Sequence, residues 1–201
     1  MHISEGVLSG PVLISGGALA AAGTAIGLKK LDYDRIAQAG ILSAAFFVAS
    51  LIHVPIGPAN AHLILNGVVG LLLGWAAFPA ILVALVLQAV LFQFGGITAL
   101  GVNTIIMALP AVFCYFMCSP FLHKKSALAL TAAFACGFLS VALSALILAL
   151  ALVFTEENFF EVSAIVIAAH IPVMIIEGLV TAMCVAFLKK VQPSMLPGYF
   201  K

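Results

Sequence analysis

Charge is what this chain of 201 residues has least of. Only 7% of its residues are charged, against roughly 25% in soluble domains. Residues 1–28 hold no Lys or Arg at all. The Ala/Gly-rich run from Gly16 to Ala25 therefore has no basic flank before it, and it reads as a retained first helix rather than a signal peptide. A net charge of +1 offers no basic surface to nucleic acid. Neither a G-x-x-x-x-G-K-[ST] phosphate loop nor an H-E-x-x-H zinc motif is present, which excludes a built-in ATPase of that kind and a zinc protease. No repeat suggests an inverted-repeat transporter. The four cysteines, Cys114, Cys118, Cys136 and Cys184, all lie in apolar runs. They read as small buried apolar residues, not as a disulfide framework. Cys114 and Cys118 would share a helix face, but no other soft ligand sits near them in sequence to make a metal site.

What the chain has instead is apolar length. Hydrophobic residues make up 65% of it, more than a soluble core can absorb while still covering itself with polar groups. In lipid the backbone must satisfy its own hydrogen bonds, by helices or by a closed barrel. Barrel strands would alternate apolar and polar residues. Here the apolar runs are continuous and about twenty long, the length of a transmembrane helix. The expected fold is an all-α polytopic membrane protein, one transmembrane domain over residues 1–201, with about seven transmembrane helices. The spans expected are 7–28, 36–52, 61–75, 78–94, 104–122 (with Pro110 inside), 126–154 and 162–188 (with Pro172 inside). Loops between them carry breakers, such as Pro55, Gly57 and Pro58 after the second span and the Gly/Thr/Asn stretch 95–103 after the fourth.

With the N-terminus outside and the C-terminus inside, loops 29–35, 75–79, 123–125 and the tail from 189 are internal. Every basic residue then falls inside, from Lys29, Lys30 and Arg35 to Lys124, Lys125, Lys189, Lys190 and Lys201. The outer loop 155–161 holds Glu156, Glu157 and Glu161 and no base. This is the positive-inside pattern. Small residues recur at Gly16, Ala20, Gly23 and Gly27, and again at Gly70 and Gly74. They read as rows for close helix packing within the chain or as a docking face for another membrane subunit.

Polar groups at membrane depth are few, and each is a functional candidate. The histidines are His2, His53, His62, His123 and His170. In this topology His2, His53 and His62 belong to the outer side, and His123 sits beside Lys124 at the inner surface. His170 lies about two turns into the seventh span, with Glu177 two turns below. The start Met1-His2 has chemistry of its own. A free Met1 amine, the His2 amide nitrogen and the His2 imidazole close two fused chelate rings, three nitrogens in one plane. A fourth ligand completes a square, which suits Ni(II) and Cu(II) and is open to low-spin Co(II). The amide must lose its proton, so binding weakens as pH falls. Since aminopeptidases remove Met only before small residues, His2 is expected to keep Met1 in place. The plain alternative is that His2 is incidental. Two more histidines on the same side, His53 and His62, spaced by nine residues across a Pro/Gly loop, favour an outer metal site. Glu177 is costly in lipid unless paired, protonated or wet. It reads as an anchor for packing through hydrogen bonds, or as an ion contact. His170 reads as an ion-path residue, or as a donor to a carbonyl freed by Pro172.

Four stretches together resemble a known family: Met1-His-Ile-Ser-Glu-Gly6; His53-Val-Pro-Ile-Gly-Pro-Ala-Asn-Ala-His62-Leu-Ile-Leu-Asn-Gly67; Phe94-Gly-Gly-Ile-Thr-Ala-Leu-Gly-Val-Asn103-Thr-Ile-Ile-Met107; and Ile171-Pro-Val-Met-Ile-Ile-Glu177-Gly178 followed by Lys189-Lys190. They are similar to the CbiM/NikM family, the substrate-binding membrane components of energy-coupling-factor cobalt and nickel transporters. The resemblance implies a seven-helix fold whose N-terminal segment 1–6 turns back into an outward-facing pocket. There Met1, His2 and the histidine matching His62 bind the ion. In many members the position matching His53 is not histidine, so its part as a further ligand, a supporting group or an access-path residue stays open. Segment 95–103, with Thr98 and Asn103, is the candidate lid; Glu177 and His170 are candidates for supporting the site. The resemblance further implies ATP-driven uptake with a membrane scaffold component, ATP-binding subunits and a small accessory membrane subunit, in the cytoplasmic membrane of a prokaryote. Co(II) or Ni(II) is the cargo and there is no prosthetic group. The likeness is somewhat nearer to the cobalt branch, which serves cobalamin synthesis. Two other classes of function find weaker support in the residues. A rhomboid-like protease would use Ser140 or Ser144 with His170, but no flanking pattern singles these out. A haem cytochrome would use His53, His62 or His170 and would show a Soret band.

The chelate generates a direct expectation: one residue added before Met1, or acetylation of its amine, abolishes tight nickel or cobalt binding. Calorimetric titration of an N-terminally extended protein checks it, and undiminished binding would rule out the fused-ring site.

Overall fold

The computed structural model describes residues 2–51, 53–56 and 59–197, with strands 53–56 and 59–62 described by their backbone. Among these residues the chain forms seven α-helices: α1 (Gly10–Lys30), α2 (Ile36–Ala49), α3 (Asn66–Leu73), α4 (Ala77–Phe92), α5 (Leu100–Cys118), α6 (Ser126–Val153) and α7 (Phe160–Val191). The single departure from an all-α fold is a small antiparallel sheet of β1 (His2–Ile3), β2 (His53–Ile56) and β3 (Ala59–His62), in the order β1-β3-β2. Among the described residues five runs are long and apolar enough to cross a bilayer: Gly10–Lys30, Asn66–Phe92, Leu100–Phe121, Ser126–Val153 and Phe160–Val191. The chain is a multi-pass membrane protein.

The sequence pattern and the structure differ most at the third expected span, 61–75. Residues 59–62 are strand, and the helix starts only at Asn66 and ends at Leu73. At 1.5 Å per residue α3 is about 12 Å long, less than half of a bilayer's apolar thickness of about 30 Å. It starts deep inside the bundle. The Asn66 side-chain amide donates to Ser144 Oγ at 3.0 Å and to the carbonyls of Met107 and Ser140 at 3.4 and 3.5 Å, and Ser140 lies midway along α6. All eight residues of α3 are buried. Gly74 follows with φ +56 against the Tyr115 ring, and a 3-10 turn at Gly74–Ala76 passes the chain into α4. Apolarity in 61–75 marked burial here, not a continuous helix.

Close packing uses the small residues. The buried face of α1 is Gly16, Ala20, Gly23 and Gly27. Added methyl groups there would overlap Val102, Phe78 and Pro79, so this row packs within the chain, against α4 and α5. Deeper in the bundle a Cβ on Gly67 would come within 2.6 Å of the Gly137 Cα, and one on Gly137 would overlap the Glu177 carbonyl and the Thr181 hydroxyl. Backbones of α3, α6 and α7 therefore meet with no side chain between them, the arrangement that dispersion and polar contacts favour in lipid.

Alternation of chain direction sorts the charges. Lys29, Lys30, Arg35, Lys124, Lys125, Lys189 and Lys190 collect at one end. There Lys189 Nζ donates to the carbonyls of Leu122 and Lys124 at 2.9 and 3.2 Å, Arg35 donates to the Leu72 carbonyl, and Lys30 lies 5.7 Å from the Trp75 ring centroid. The sheet, the loop between α4 and α5, and Glu156 and Glu161 are at the opposite end. Ser9 ties these parts together by donating its backbone N–H to Thr155 Oγ1 at 3.3 Å.

The glycine contact predicts a selective loss of stability. Gly137→Ala costs about 1–3 kcal/mol through overpacking and lowers the unfolding temperature in detergent. Gly40→Ala, whose added Cβ meets nothing within 4 Å, leaves that temperature unchanged or slightly raised. Equal behaviour of the two variants would show that α3, α6 and α7 do not meet at this point.

Candidate functional site

The site begins with a two-residue strand that is far too short to hold itself. β1 is fixed from two directions. On one side it pairs with β3, His2 opposite Asn60 and Ile3 opposite Ala59. On the other, Asn103 in the first turn of α5 acts as a strand surrogate. Its Oδ1 accepts from the Ile3 N–H at 2.9 Å, and its Nδ2 donates to the Ile3 carbonyl at 3.1 Å. One side-chain amide thus satisfies both backbone groups of one residue, as a neighbouring strand would. Ile3 is fully buried and adds apolar anchorage.

His2 is equally enclosed, at 1% exposure. Its Nε2 lies 2.6 Å from Gln88 Oε1, and its ring centroid is 6.3 Å from that of Phe94. Gln88 in turn donates through Nε2 to Ser50 Oγ at 2.6 Å, and Ser50 Oγ donates to the Phe47 carbonyl at 2.7 Å. Neither Gln88 nor Ser50 was singled out by the sequence reading. A usable signal was there: Gln88 is the single polar side chain within α4, and a polar group in an apolar span needs a reason.

The second strand pair brings the other histidines to the same sheet. β2 and β3 pair with His53 opposite His62. His62 is two residues along β3 from Asn60, the partner of His2, so positions 2, 60, 62 and 53 have the same parity in the sheet. By standard strand spacing the diagonal from residue 2 to residue 62 is about 7–8 Å. Met1 lies outside the described residues, and His53 and His62 are placed here by backbone register.

The loop between α4 and α5 lies over β1. Gly95 and Gly96 have φ of +76 and +85, conformations open to glycine. A Cβ on Gly95 would stand 2.7 Å from Asn103 Nδ2 and 3.4 Å from His2 Cδ2, and one on Gly96 would overlap Glu5. Of the expected lid segment 95–103, residues from Leu100 onward form the first turn of α5. Asn103 is a clamp on β1, and Thr98 is exposed on the loop.

Glu177 serves backbone rather than the sheet itself. Its Oε1 accepts from the N–H groups of Ile64 at 2.5 Å and Leu65 at 2.7 Å. These are orphan donors at the buried N-terminus of α3, where a carboxylate is electrostatically favoured. Leu65 is held there at φ +59, a conformation uncommon for leucine. The anchoring role read from the sequence therefore has a specific object: the turn immediately after His62. His170 lies seven residues up α7, about 10 Å nearer the sheet end. It is buried, and its Nδ1 donates to the Val166 carbonyl at 2.7 Å, not to the Ala168 carbonyl that Pro172 leaves without its usual donor. Nε2 of His170 has no hydrogen-bond partner among the described residues. His123 is far from all of this, exposed at the basic end and 2.5 Å from the Pro197 carbonyl. The cysteines are free thiols, three of them buried in the helices.

Comparison with known proteins agrees with this architecture. Residues 2–195 match the family described as CbiM, cobalt uptake substrate-specific transmembrane region. A protein of Haemophilus influenzae provisionally named for metal transport is 39% identical over 98% of this chain and 97% of its own length. A cobalt transport protein CbiM of Sorangium cellulosum is 29% identical over 98% of this chain and 94% of its own. A fused nickel transport protein NikMN of Rhodobacter capsulatus is 42% identical over 54% of this chain and 33% of its own. A crystal structure of a truncated transition metal transporter superposes with a TM-score of 0.82 at 28% identity, covering 94% of this chain and 99% of the other.

The double bond from Asn103 predicts a local effect. Asn103→Ala abandons two buried backbone groups of Ile3, each worth about 1–3 kcal/mol. Hydrogen exchange at Ile3 is expected to speed up accordingly, while exchange in α6 stays unchanged. Unaltered protection at Ile3 would show that β3 alone holds the strand.

Proposed function

The chain belongs to the CbiM family of cobalt-uptake transmembrane components, and from that premise we propose that it captures Co(II) or Ni(II) in the pocket formed by its own N-terminal strand. As a cobalt/nickel transport component it needs no prosthetic group; the metal is its cargo. The observation that carries the reading is the β1-β3-β2 register, which gathers positions 2, 62 and 53 on one small sheet. The ligands proposed are the Met1 amine, the amide nitrogen and imidazole Nδ1 of His2, and His62. Three nitrogens from two consecutive residues are coplanar by their chemistry, and an imidazole completes a square suited to Ni(II) or low-spin Co(II). His53, opposite His62, is proposed as an alternate ligand or as a hydrogen-bond partner that orients His62.

The orientation proposed places the sheet outside and the basic end in the cytoplasm of a prokaryote, following the segregation of the lysines. The seven helices then make seven passes, the third of them a half-length helix entered from β3 through the turn after His62. The loop from Gln93 to Ala99 is the proposed lid. Without a phosphate-binding loop in the sequence, energy is proposed to come from partner ATP-binding subunits, reached through a membrane scaffold component and aided by a small accessory subunit, as in energy-coupling-factor transporters. Cobalt, supplied for cobalamin synthesis, is the proposed preference, supported by the family description; nickel is the alternative.

Metal analysis of the C-terminally tagged protein, equilibrated with equal cobalt and nickel, tests the proposal. About one ion per chain is expected, absent from His2→Ala. His62→Ala is expected to weaken binding far more than His123→Ala. Metal retained by His2→Ala, or equal losses from the two later variants, would overturn the ligand set; the ion recovered decides cobalt or nickel.

A further inference from the structure

The hydrogen bonds behind His2 have a polarity that is set at their far end. The Phe47 carbonyl can only accept, and it takes the Ser50 hydroxyl hydrogen at 2.7 Å. With that hydrogen committed, Ser50 Oγ must accept in its contact with Gln88, so the amide NH₂ of Gln88 faces it at 2.6 Å. The amide is then oriented with Oε1 toward His2 Nε2, also at 2.6 Å. A carbonyl oxygen cannot donate, so Nε2 carries the hydrogen. In a neutral imidazole the lone pair is then on Nδ1. Ser50 and Gln88 are both fully buried, so water does not compete for either group.

The consequence concerns which nitrogen can bind an ion. Nδ1 is the ring nitrogen on the side of the main chain, and it can close a chelate ring with the amide nitrogen of its own residue. Nε2 points away across the ring and cannot. We infer that Gln88 and Ser50 are positioning residues that hold His2 in its Nε2–H tautomer, with the Nδ1 lone pair presented to the metal. The inference rests on the reading of His2 as a ligand. Neither side chain touches the ion. Their effect reaches it through a relay that starts at a backbone carbonyl of α2, crosses to α4 and ends on β1. The relay also fixes the tilt of the ring, because Phe94 and the glycine loop enclose its other faces.

The test reads the tautomer in metal-free protein. Full-length, C-terminally tagged protein labelled with ¹⁵N-histidine is examined by long-range ¹H–¹⁵N correlation, with the His2 signals assigned by their loss in His2→Ala. The unaltered protein is expected to show one form, protonated at Nε2. Gln88→Ala and Ser50→Ala are expected to show both tautomers in exchange. Gln88→Glu, whose carboxylate also accepts from Nε2–H, is expected to keep the single form. Nickel affinity by calorimetry should follow the same order, about 10- to 100-fold weaker in Gln88→Ala and within a few-fold of the unaltered protein in Gln88→Glu. A His2 protonated at Nδ1, or a Gln88→Ala protein with unchanged tautomer and unchanged Kd, would overturn the relay. An unaltered protein that holds the Nε2–H form and binds no metal would overturn the proposed capture function while supporting the relay.

Discussion

A backbone amide inside a bilayer has no water to bond, and an unpaired one costs several kcal/mol. Helices meet this demand residue by residue, which is why nearly all of the chain is helical. The informative places are those where the backbone leaves the helix and is still buried: β1 and the turn after His62. Each is completed by a polar side chain reaching across the bundle. Asn103 serves Ile3, Glu177 serves Ile64 and Leu65, and on β1 Gln88 further serves the imidazole of His2. Three side chains, from α5, α7 and α4, thus permit a strand and a half-helix in a protein that otherwise could be only helices.

The same arrangement accounts for how a strand of two residues is held in place. Here two residues are clamped by a neighbouring strand and by a side-chain amide, and a glycine loop lies over them without intervening side chains. The strand that bears His62 is secured in turn, since the chain directly after it dives to mid-bundle and is capped there by Glu177. The fixing of β1 and of the backbone that follows His62 therefore derives from the packed helices.

The helices below are arranged to receive this turn. Gly67 meets Gly137, Gly70 meets the Ala111 backbone, and Asn66 spends its amide on α5 and α6. A half-helix starting at depth exposes donors that only an acceptor at the same depth can satisfy, and the seventh helix supplies it. The Glu177 carboxylate is stabilised there by two N–H groups and by the positive end of α3. The polar residue that the sequence marks as most costly in lipid is thus the one that makes the re-entrant turn affordable.

Apolar run length and lysine placement are local properties, and they were enough to read a multi-pass helical protein with its bases at one end. The chelating potential of Met1-His2 is local too, because the fused rings need only consecutive atoms of the chain, and the stretches marked around His2, His53 and His62 are the ones that meet in one small sheet. Strand Ala59–His62 was not legible, since the alternation Ala-Asn-Ala-His is only four residues long and merges into the apolar run that follows it, and it is pairing with β1, far away in sequence, and with β2 that settles the choice. The roles of Gln88, Asn103 and Glu177 were decided by tertiary structure for the same reason. Their partners lie 86, 100 and 113 residues away, and a hydrogen bond across a bundle leaves no periodicity along the chain.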